Sequence, residues 1–292
     1  MQRKLGLWLT LSFFILSCVA LEAQQATEAT HHPPKVLVIV REWLKPGKAG
    51  SQHERTESMF PAAFTAAKWP QHYLAMDSLS GAPRSLFLIG YESFEAWEKD
   101  TLATQKNATL AAALDRASVA DGDMLSASET NVMVYRPDLS QNPDVDIPHM
   151  RYFELSLFKV KPGHYAEWKE LVKAYQDGYK DMPDAHWAVY ETQYGQLGGG
   201  VYLVVTPMKS AAEVDKSFGD MKKFSDTLGE EGMKKLSALS GSCLESNQTN
   251  LFMFNPKLSY VGDDWKKADA FWQTGPAKSA AMAKKTEPKA KP

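Results

Sequence analysis

Cysteine is almost absent from this chain of 292 residues, which contains only Cys18 and Cys243. Cys18 lies in a segment with the character of a leader, so the mature protein cannot form a disulfide within one chain. A chain of this length buries enough apolar surface to be stable without one. The fold must therefore be held by ordinary hydrophobic cores, which the 44% hydrophobic content favours.

The sequence also lacks the short motifs that mark common enzyme and binding classes. It contains no CxxC, HExxH, Walker A, GxGxxG or GxSxG pattern. An excess of one charge is absent too, because 33 basic residues stand against 35 acidic ones and give a formal net charge of −2. This balance argues against nucleic acid as a partner. No metal site is predicted, since Asp144, Asp146 and His149 fall in or beside a stretch typical of a linker.

The one long apolar run lies at the amino terminus. Two basic residues precede the run from Leu5 to Leu16, which is too short for a membrane-spanning helix and has the flanks of a signal peptide. Two cleavage sites stay open. Cleavage after Ala23 releases a soluble protein, whereas the residues before Cys18 also fit a lipobox, in which this cysteine carries a membrane anchor. We favour the first, with residues 1–23 as a signal peptide and export to the periplasm or beyond.

Polar segments flank the predicted fold at both ends. Residues 24–34 form a short tether, and residues 260–292 form a carboxy-terminal extension that we expect to be mostly disordered. From Thr274 onward this extension is rich in alanine, lysine and proline, and it has no aromatic side chain to pack.

The chain repeats itself. Thr130 to Ser140 and Thr249 to Ser259 both read Thr-Asn, four apolar residues, x-Pro-x-Leu-Ser. Upstream, a Lys-Pro-Gly turn at Lys45 recurs at Lys161, and other features recur in the same order at similar spacing. Such ordered recurrence indicates a duplicated domain.

Each copy has the periodicity of strand, helix, strand, strand, helix, strand. The first copy spans residues 35–140 and the second spans 149–259, with a linker over 141–148. The predicted fold class is α+β, with two tandem ferredoxin-like β-α-β-β-α-β repeats.

This element order, with the Lys-Pro-Gly turn that opens the first helix of both copies, resembles the dimeric α+β barrel superfamily. That superfamily includes the antibiotic-biosynthesis monooxygenase, EthD, NIPSNAP and chlorite dismutase families. The resemblance covers residues 35–259 and implies that the two sheets close into a pseudo-dimeric barrel, made by one chain as a monomer. Members range from oxygenases to haem enzymes and non-catalytic proteins, so the resemblance does not give a function. The GxxDG sequence of dye-decolourising peroxidases is absent.

Two histidines are the first candidates for a small-molecule site. His72 and His186 open the second strand of each copy, where an imidazole could act as a base or ligate haem iron. By strand alternation His186 shares a face with Ala188 and Tyr190, and Tyr190 is therefore a third candidate.

Two further candidates lie in the second copy. Glu154 stands among aromatic residues on one face of its first strand, and we expect the opposite face, formed by Phe153, Leu155 and Leu157, to meet the helices. A buried carboxylate there would have a perturbed pKa. Trp168 lies on the buried face of the first helix.

We therefore expect an exported binding or interaction protein with an apolar pocket for a small apolar or aromatic molecule. Membrane contact is expected only through a lipid on Cys18. Two alternatives stay open: a cofactor-independent monooxygenase acting on an aromatic or quinone-like substrate, and a haem-binding protein with His186 or His72 as axial ligand. The sequence does not decide whether the protein is an enzyme, and it requires no cofactor.

Overall fold

Residues 31–273, which the computed structural model describes, form a closed barrel of antiparallel strands with helices outside. The strands are β1 (Val36–Leu44), β2 (Leu74–Ser78), β3 (Arg84–Tyr91), β4 (Leu125–Tyr135), β5 (Tyr152–Val160), β6 (Ala188–Tyr194), β7 (Val201–Met208) and β8 (Leu244–Phe254). The helices are α1 (Ser51–Glu57), α2 (Met59–Ala67), α3 (Phe94–Lys106), α4 (Ala108–Gly122), α5 (Tyr165–Tyr179), α6 (Ala212–Cys243) and α7 (Asp263–Ala268). Short 3₁₀ turns cover Pro137–Leu139, Ile147–His149 and Ala270–Trp272.

The barrel consists of two ferredoxin-like halves joined edge to edge. Its strand order is β1-β3-β2-β8-β5-β7-β6-β4, so the two halves meet at the β2–β8 and β4–β6 pairs. The register of β1 on β4 shifts between Trp43 and Leu44, and that of β5 on β8 shifts between Lys159 and Val160. Matching shifts in the two first strands support the internal repeat, and the predicted fold class is confirmed.

Side chains of β5 alternate between the barrel interior and the helices. Phe153 and Leu155 belong to the core inside the barrel, and Leu157 packs against that core. The expectation that this face meets the helices is therefore wrong, because the side that carries Glu154 does so. In a closed barrel both faces of a strand are covered, so an apolar face does not indicate which side is the interior.

The repeated Thr-Asn motif closes the two junctions between the halves. Asn131 and Asn250 are buried, and the side-chain oxygen of Asn131 accepts a hydrogen bond from the backbone N–H of Leu197 at 3.1 Å. A Cβ on Gly195 would lie 2.3 Å from the Asn131 oxygen, and a Cβ on Gly81 would lie 2.6 Å from the Asn250 oxygen. Each asparagine thus packs on a glycine of a neighbouring hairpin, and the motif has a structural role.

We expect Asn131→Ala to lower the free energy of unfolding by about 1–3 kcal/mol, because the Leu197 N–H loses its acceptor at a buried site. Urea unfolding measures this loss. The exposed Asn247 on β8 provides the matched control, since Asn247→Ala should change stability by less than about 0.5 kcal/mol. Equal effects of the two substitutions would contradict the structural role of the motif.

The first part of the carboxy-terminal extension, residues 260–273, is folded. Tyr260 pairs with Tyr73 in an isolated β-bridge, α7 follows, and the side chain of Trp272 is only 1% exposed. The signal peptide, most of the tether and the tail from Thr274 lie outside the described residues. Between residues 31 and 273, no helix has both the length and the apolar character required to cross a bilayer.

Candidate functional site at one end of the barrel

A cavity of about 300 Å³ lies at the end of the barrel where β1 begins. Its walls are apolar side chains that point inward from strands of both halves. They include Leu37, Leu74, Leu88, Phe153, Ala188, Tyr190 and Val205. The cavity therefore depends on the closure of the two halves into one barrel.

Three segments outside the regular repeats surround the mouth of this cavity. They are the end of the tether, the linker and the start of the carboxy-terminal extension. The backbone N–H of His31 donates to the carbonyl of Val145 at 3.0 Å, and the His31 ring makes an edge contact with Trp265 at 5.6 Å between centroids. These contacts tie the three segments together over the cavity.

Few polar groups face the cavity. His31 has a buried Nδ1 without a hydrogen-bond partner, although a buried polar atom normally has one. Burial raises the pKa of the Tyr190 hydroxyl far above its usual value, so this group stays a protonated donor at neutral pH. Both groups could orient a ligand that carries one polar atom.

His72 lies at the rim of the cavity and stacks on Tyr260, with 4.8 Å between the ring centroids. Burial lowers the pKa of His72, although the nearby Asp264 carboxylate opposes this shift. The imidazole is therefore neutral at pH 7 and able to accept a proton.

The His186 ring lies between two backbone carbonyls. Its Nδ1 lies 2.7 Å from the carbonyl oxygen of Asp184, and its Nε2 lies 2.7 Å from that of Pro207. A neutral imidazole has one N–H and can donate to one of these carbonyls at a time, so His186 lies between the start of β6 and the end of β7 and bonds to one of them. It contributes to the cavity wall, with each nitrogen close to a carbonyl oxygen.

The structure separates the candidates that the sequence suggested. His72, His186 and Tyr190 line this cavity. Glu154 lies on the other side of the sheet, in a second cavity of about 400 Å³ between the sheet and α6, which His186 also borders. Burial raises the pKa of Glu154, as expected for a buried carboxylate.

Trp168 does not line either cavity. Its side chain is 2% exposed and packs in the core between β5, β7 and α5, with ring centroids 5.4 Å from Phe158 and 5.0 Å from Tyr202. Its place in the interior is that of a packing residue. The structure therefore contains no single site that is lined by all four of His186, Tyr190, Glu154 and Trp168.

The residues do not fit haem. Axial ligation requires an imidazole nitrogen with space beside it for iron, and each nitrogen of His186 lies 2.7 Å from a backbone carbonyl oxygen. His72 is exposed at the rim, outside the barrel interior in which a haem would be enclosed.

Sequence reasoning missed the contribution of the segments around the mouth. His31 and Pro34 belong to what appeared as a polar tether, and Trp265 lies in the expected disordered extension. The sequence did contain one signal of folded structure here, the aromatic content of residues 260–273, which include Tyr260, Trp265, Phe271 and Trp272. Such residues rarely occur in disordered segments.

Comparison with known proteins gives only similarities of fold. The chain is similar to a putative monooxygenase from Fusobacterium nucleatum, with 10% identity, a TM-score of 0.49, and coverage of 77% of this chain and 94% of that chain. It is also similar to an anthrone oxidase-like protein, with 14% identity, a TM-score of 0.47, and coverage of 76% and 92%. A chlorite dismutase from Candidatus Nitrospira defluvii has 9% identity, a TM-score of 0.47, and coverage of 83% and 97%.

The architecture is established by the closed eight-stranded barrel itself. Two ferredoxin-like halves closed into one barrel are what the resemblance to the dimeric α+β barrel superfamily implied. No protein-family model and no curated protein matches the sequence. At these identities the neighbours say nothing about individual residues or chemistry in this chain.

Proposed function

We propose that the chain binds a small, mainly apolar molecule with one polar group in the barrel-end cavity. The observation that carries this proposal is the apolar cavity itself, walled by both halves and supplied with an unpaired His31 nitrogen. Ligand pockets are mostly apolar, with a few polar groups that fix orientation.

The size of the cavity limits the ligand. Pockets for small molecules range from roughly 300 to 1,000 Å³, and this cavity of about 300 Å³ lies at the lower limit. A compact aromatic compound of one or two rings suits this space. The Tyr190 hydroxyl and the His31 nitrogen would favour a phenol over a plain hydrocarbon, because each could form a hydrogen bond with the phenol hydroxyl.

Calorimetric titration with 2-naphthol tests the proposal. We expect a dissociation constant on the order of 10 µM, given the affinity that a ligand of this size normally gains. Naphthalene-2-sulfonate serves as the control and should bind much more weakly, because its charge would lose hydration in an apolar cavity. Equal binding of the two compounds, or binding of neither, would contradict the proposal.

A second function, cofactor-independent oxygenation, is favoured by the neutral imidazole of His72 at the cavity mouth. A neutral imidazole could remove the proton of a phenol before the anion reacts with dioxygen. Dioxygen consumption with 2-naphthol and menadiol as substrates would show such an activity. His72→Phe, which keeps an aromatic ring beside Tyr260, should then abolish consumption while binding persists.

We also propose that the protein is exported and that the mature barrel is a monomer, since one chain supplies both junctions. Intact mass of the protein from an envelope fraction tests export. We expect an amino terminus at Gln24 and one free thiol, at Cys243. The added mass of a diacylglycerol group on Cys18 would identify the protein as a lipoprotein and not as a soluble protein. An uncleaved leader would contradict export.

A further inference from the structure

Four ionisable side chains meet in the first half, between the sheet and its helices. Glu42 comes from β1, His53 and Glu57 lie one turn apart on α1, and Asp121 comes from the end of α4. Their exposed fractions are 12% for the Glu42 side chain, 2% for His53, 3% for Glu57 and 2% for Asp121. We call these residues the acidic-histidine cluster. It lies outside the barrel, on the opposite side of the sheet from the cavity.

The geometry of the cluster suits a single ion. His53 Nε2 lies 3.7 Å from a Glu42 oxygen and 3.6 Å from an Asp121 oxygen. One potential ligand atom from each of the four residues lies within 4.8 Å of all the others. Atoms at these separations can surround one cation at roughly 2.0–2.4 Å, the range for nitrogen and oxygen ligands of divalent metals.

Four buried atoms of the cluster make no hydrogen bond: His53 Nε2, Glu57 Oε2, Asp121 Oδ2 and Glu42 Oε2. Of these, His53 Nε2 and Glu42 Oε2 lie within ion-pair distance of each other, and His53 Nε2 lies within the same reach of Asp121 Oδ1. Unsatisfied buried polar atoms are rare in native proteins, and each costs free energy unless something pairs with it. Four such atoms in one cluster indicate that their partner is a bound species and not another side chain of the protein.

The electrostatic balance leads to the same conclusion. The carboxyl groups of Glu42, Glu57 and Asp121 crowd around a single imidazole at a buried site. His53 is the only cationic group among the four. A bound cation would offset the repulsion among the carboxylates without a shared proton.

The second half shows that the fold does not require this polar cluster. Phe158 occupies the position in β5 that Glu42 occupies in β1, relative to the matching register shifts. On α5, Trp168 and Val172, also one turn apart, pack with Phe158 in an apolar core. The first half has therefore kept a costly polar arrangement where the second half is stabilised by packing.

We propose that Glu42, His53, Glu57 and Asp121 bind one divalent transition-metal ion. One imidazole with carboxylates and no thiolate favours Zn²⁺ or Mn²⁺ over the softer Cu⁺. Thr56 donates a hydrogen bond to Asp121 at 2.6 Å and would hold that carboxylate in the orientation for binding. The sequence predicted no metal site, because the ligands come from three separate elements with no recognisable spacing.

Metal titration of the full mature chain tests this proposal. After treatment with EDTA and removal of the chelator, calorimetry with ZnCl₂ or MnCl₂ should give one ion per chain, and the ion should raise the melting temperature. Glu57→Gln keeps the size of the side chain but removes its charge, and His53→Gln removes the imidazole; each should weaken affinity at least about tenfold. Glu54→Gln is the matched control, since it makes the same change on the same helix outside the cluster and should leave affinity unchanged.

Two results would overturn the proposal. The first is a wild-type protein that binds neither ion, which would mean that a shared proton alone balances the cluster. The second is full binding by Glu57→Gln and His53→Gln, which would place the ion elsewhere. If circular dichroism shows that either variant does not fold, the visible spectrum of the Co²⁺-loaded wild type tests the site instead. We expect ligand-field bands of nitrogen and oxygen coordination. The spectrum of hydrated Co²⁺ alone would contradict the site. These readouts are independent of ligand binding in the barrel cavity.

Discussion

Replacement of Ala188 by phenylalanine should abolish binding of 2-naphthol and leave the barrel folded. Ala188 is buried, points into the barrel opposite Val205, and lines the cavity. A phenyl ring at this position would occupy the volume that we assign to the ligand. We expect a loss of at least about 100-fold in affinity, or roughly 2.7 kcal/mol. Calorimetric titration measures the loss.

Two variants control for this result. Val119 is 72% exposed on α4, and Val119→Phe adds the same ring without filling any cavity. Glu154→Val removes the carboxylate of the second cavity and gives the residue found at the equivalent position, Val38, of the first half. Both should bind 2-naphthol as the wild type does. Loss of binding in Glu154→Val together with full binding in Ala188→Phe would move the site to the second cavity.

Trp272→Ala should lower the free energy of unfolding by about 3–5 kcal/mol, the usual cost of deleting a large buried aromatic side chain. Trp272 makes edge contacts with the rings of Phe254, Trp265 and Phe271. Its indole N–H also donates to the carbonyl oxygen of Pro148 at 2.7 Å, which fixes the linker to the extension. Urea unfolding of the variant and the wild type measures the change.

Phe218 provides the control for this prediction, because it is an aromatic residue that is 75% exposed on α6. Phe218→Ala should change the unfolding free energy by less than about 0.5 kcal/mol. A loss below about 1 kcal/mol in Trp272→Ala would contradict the conclusion that the extension is an integral part of the fold.

The sequence predicted the architecture because its signals are local and occur twice. The Lys-Pro-Gly turns follow directly after the matching register shifts in β1 and β5, and the Thr-Asn motifs pair at equivalent positions, Thr130 with Val40 and Thr249 with Ser156. Strand alternation also placed His186 and Tyr190 on one face, and both line the cavity. A period of two residues in a strand is robust because the backbone imposes it.

The failures have a common physical cause, since each depends on which surfaces meet in three dimensions. The apolar face of β5 could equally have met the helices, and only closure of the barrel placed Phe153 inside. Glu154 and Trp168 appeared close to the site because the sequence does not show that they lie on the outer side of the sheet. The acidic-histidine cluster was missed for the same reason, as Asp121 reaches the cluster from a different helix.

A crystal structure of the mature protein with 6-bromo-2-naphthol tests the proposed function most directly, because anomalous scattering locates the bromine without prior assumptions. We predict one anomalous peak inside the barrel, close to Leu37, Tyr190 and Val205, with the naphthol oxygen within hydrogen-bonding distance of Tyr190 or His31. A peak beside Glu154 and Lys216 in the second cavity, or a barrel interior without the compound at saturating concentration, would contradict the account.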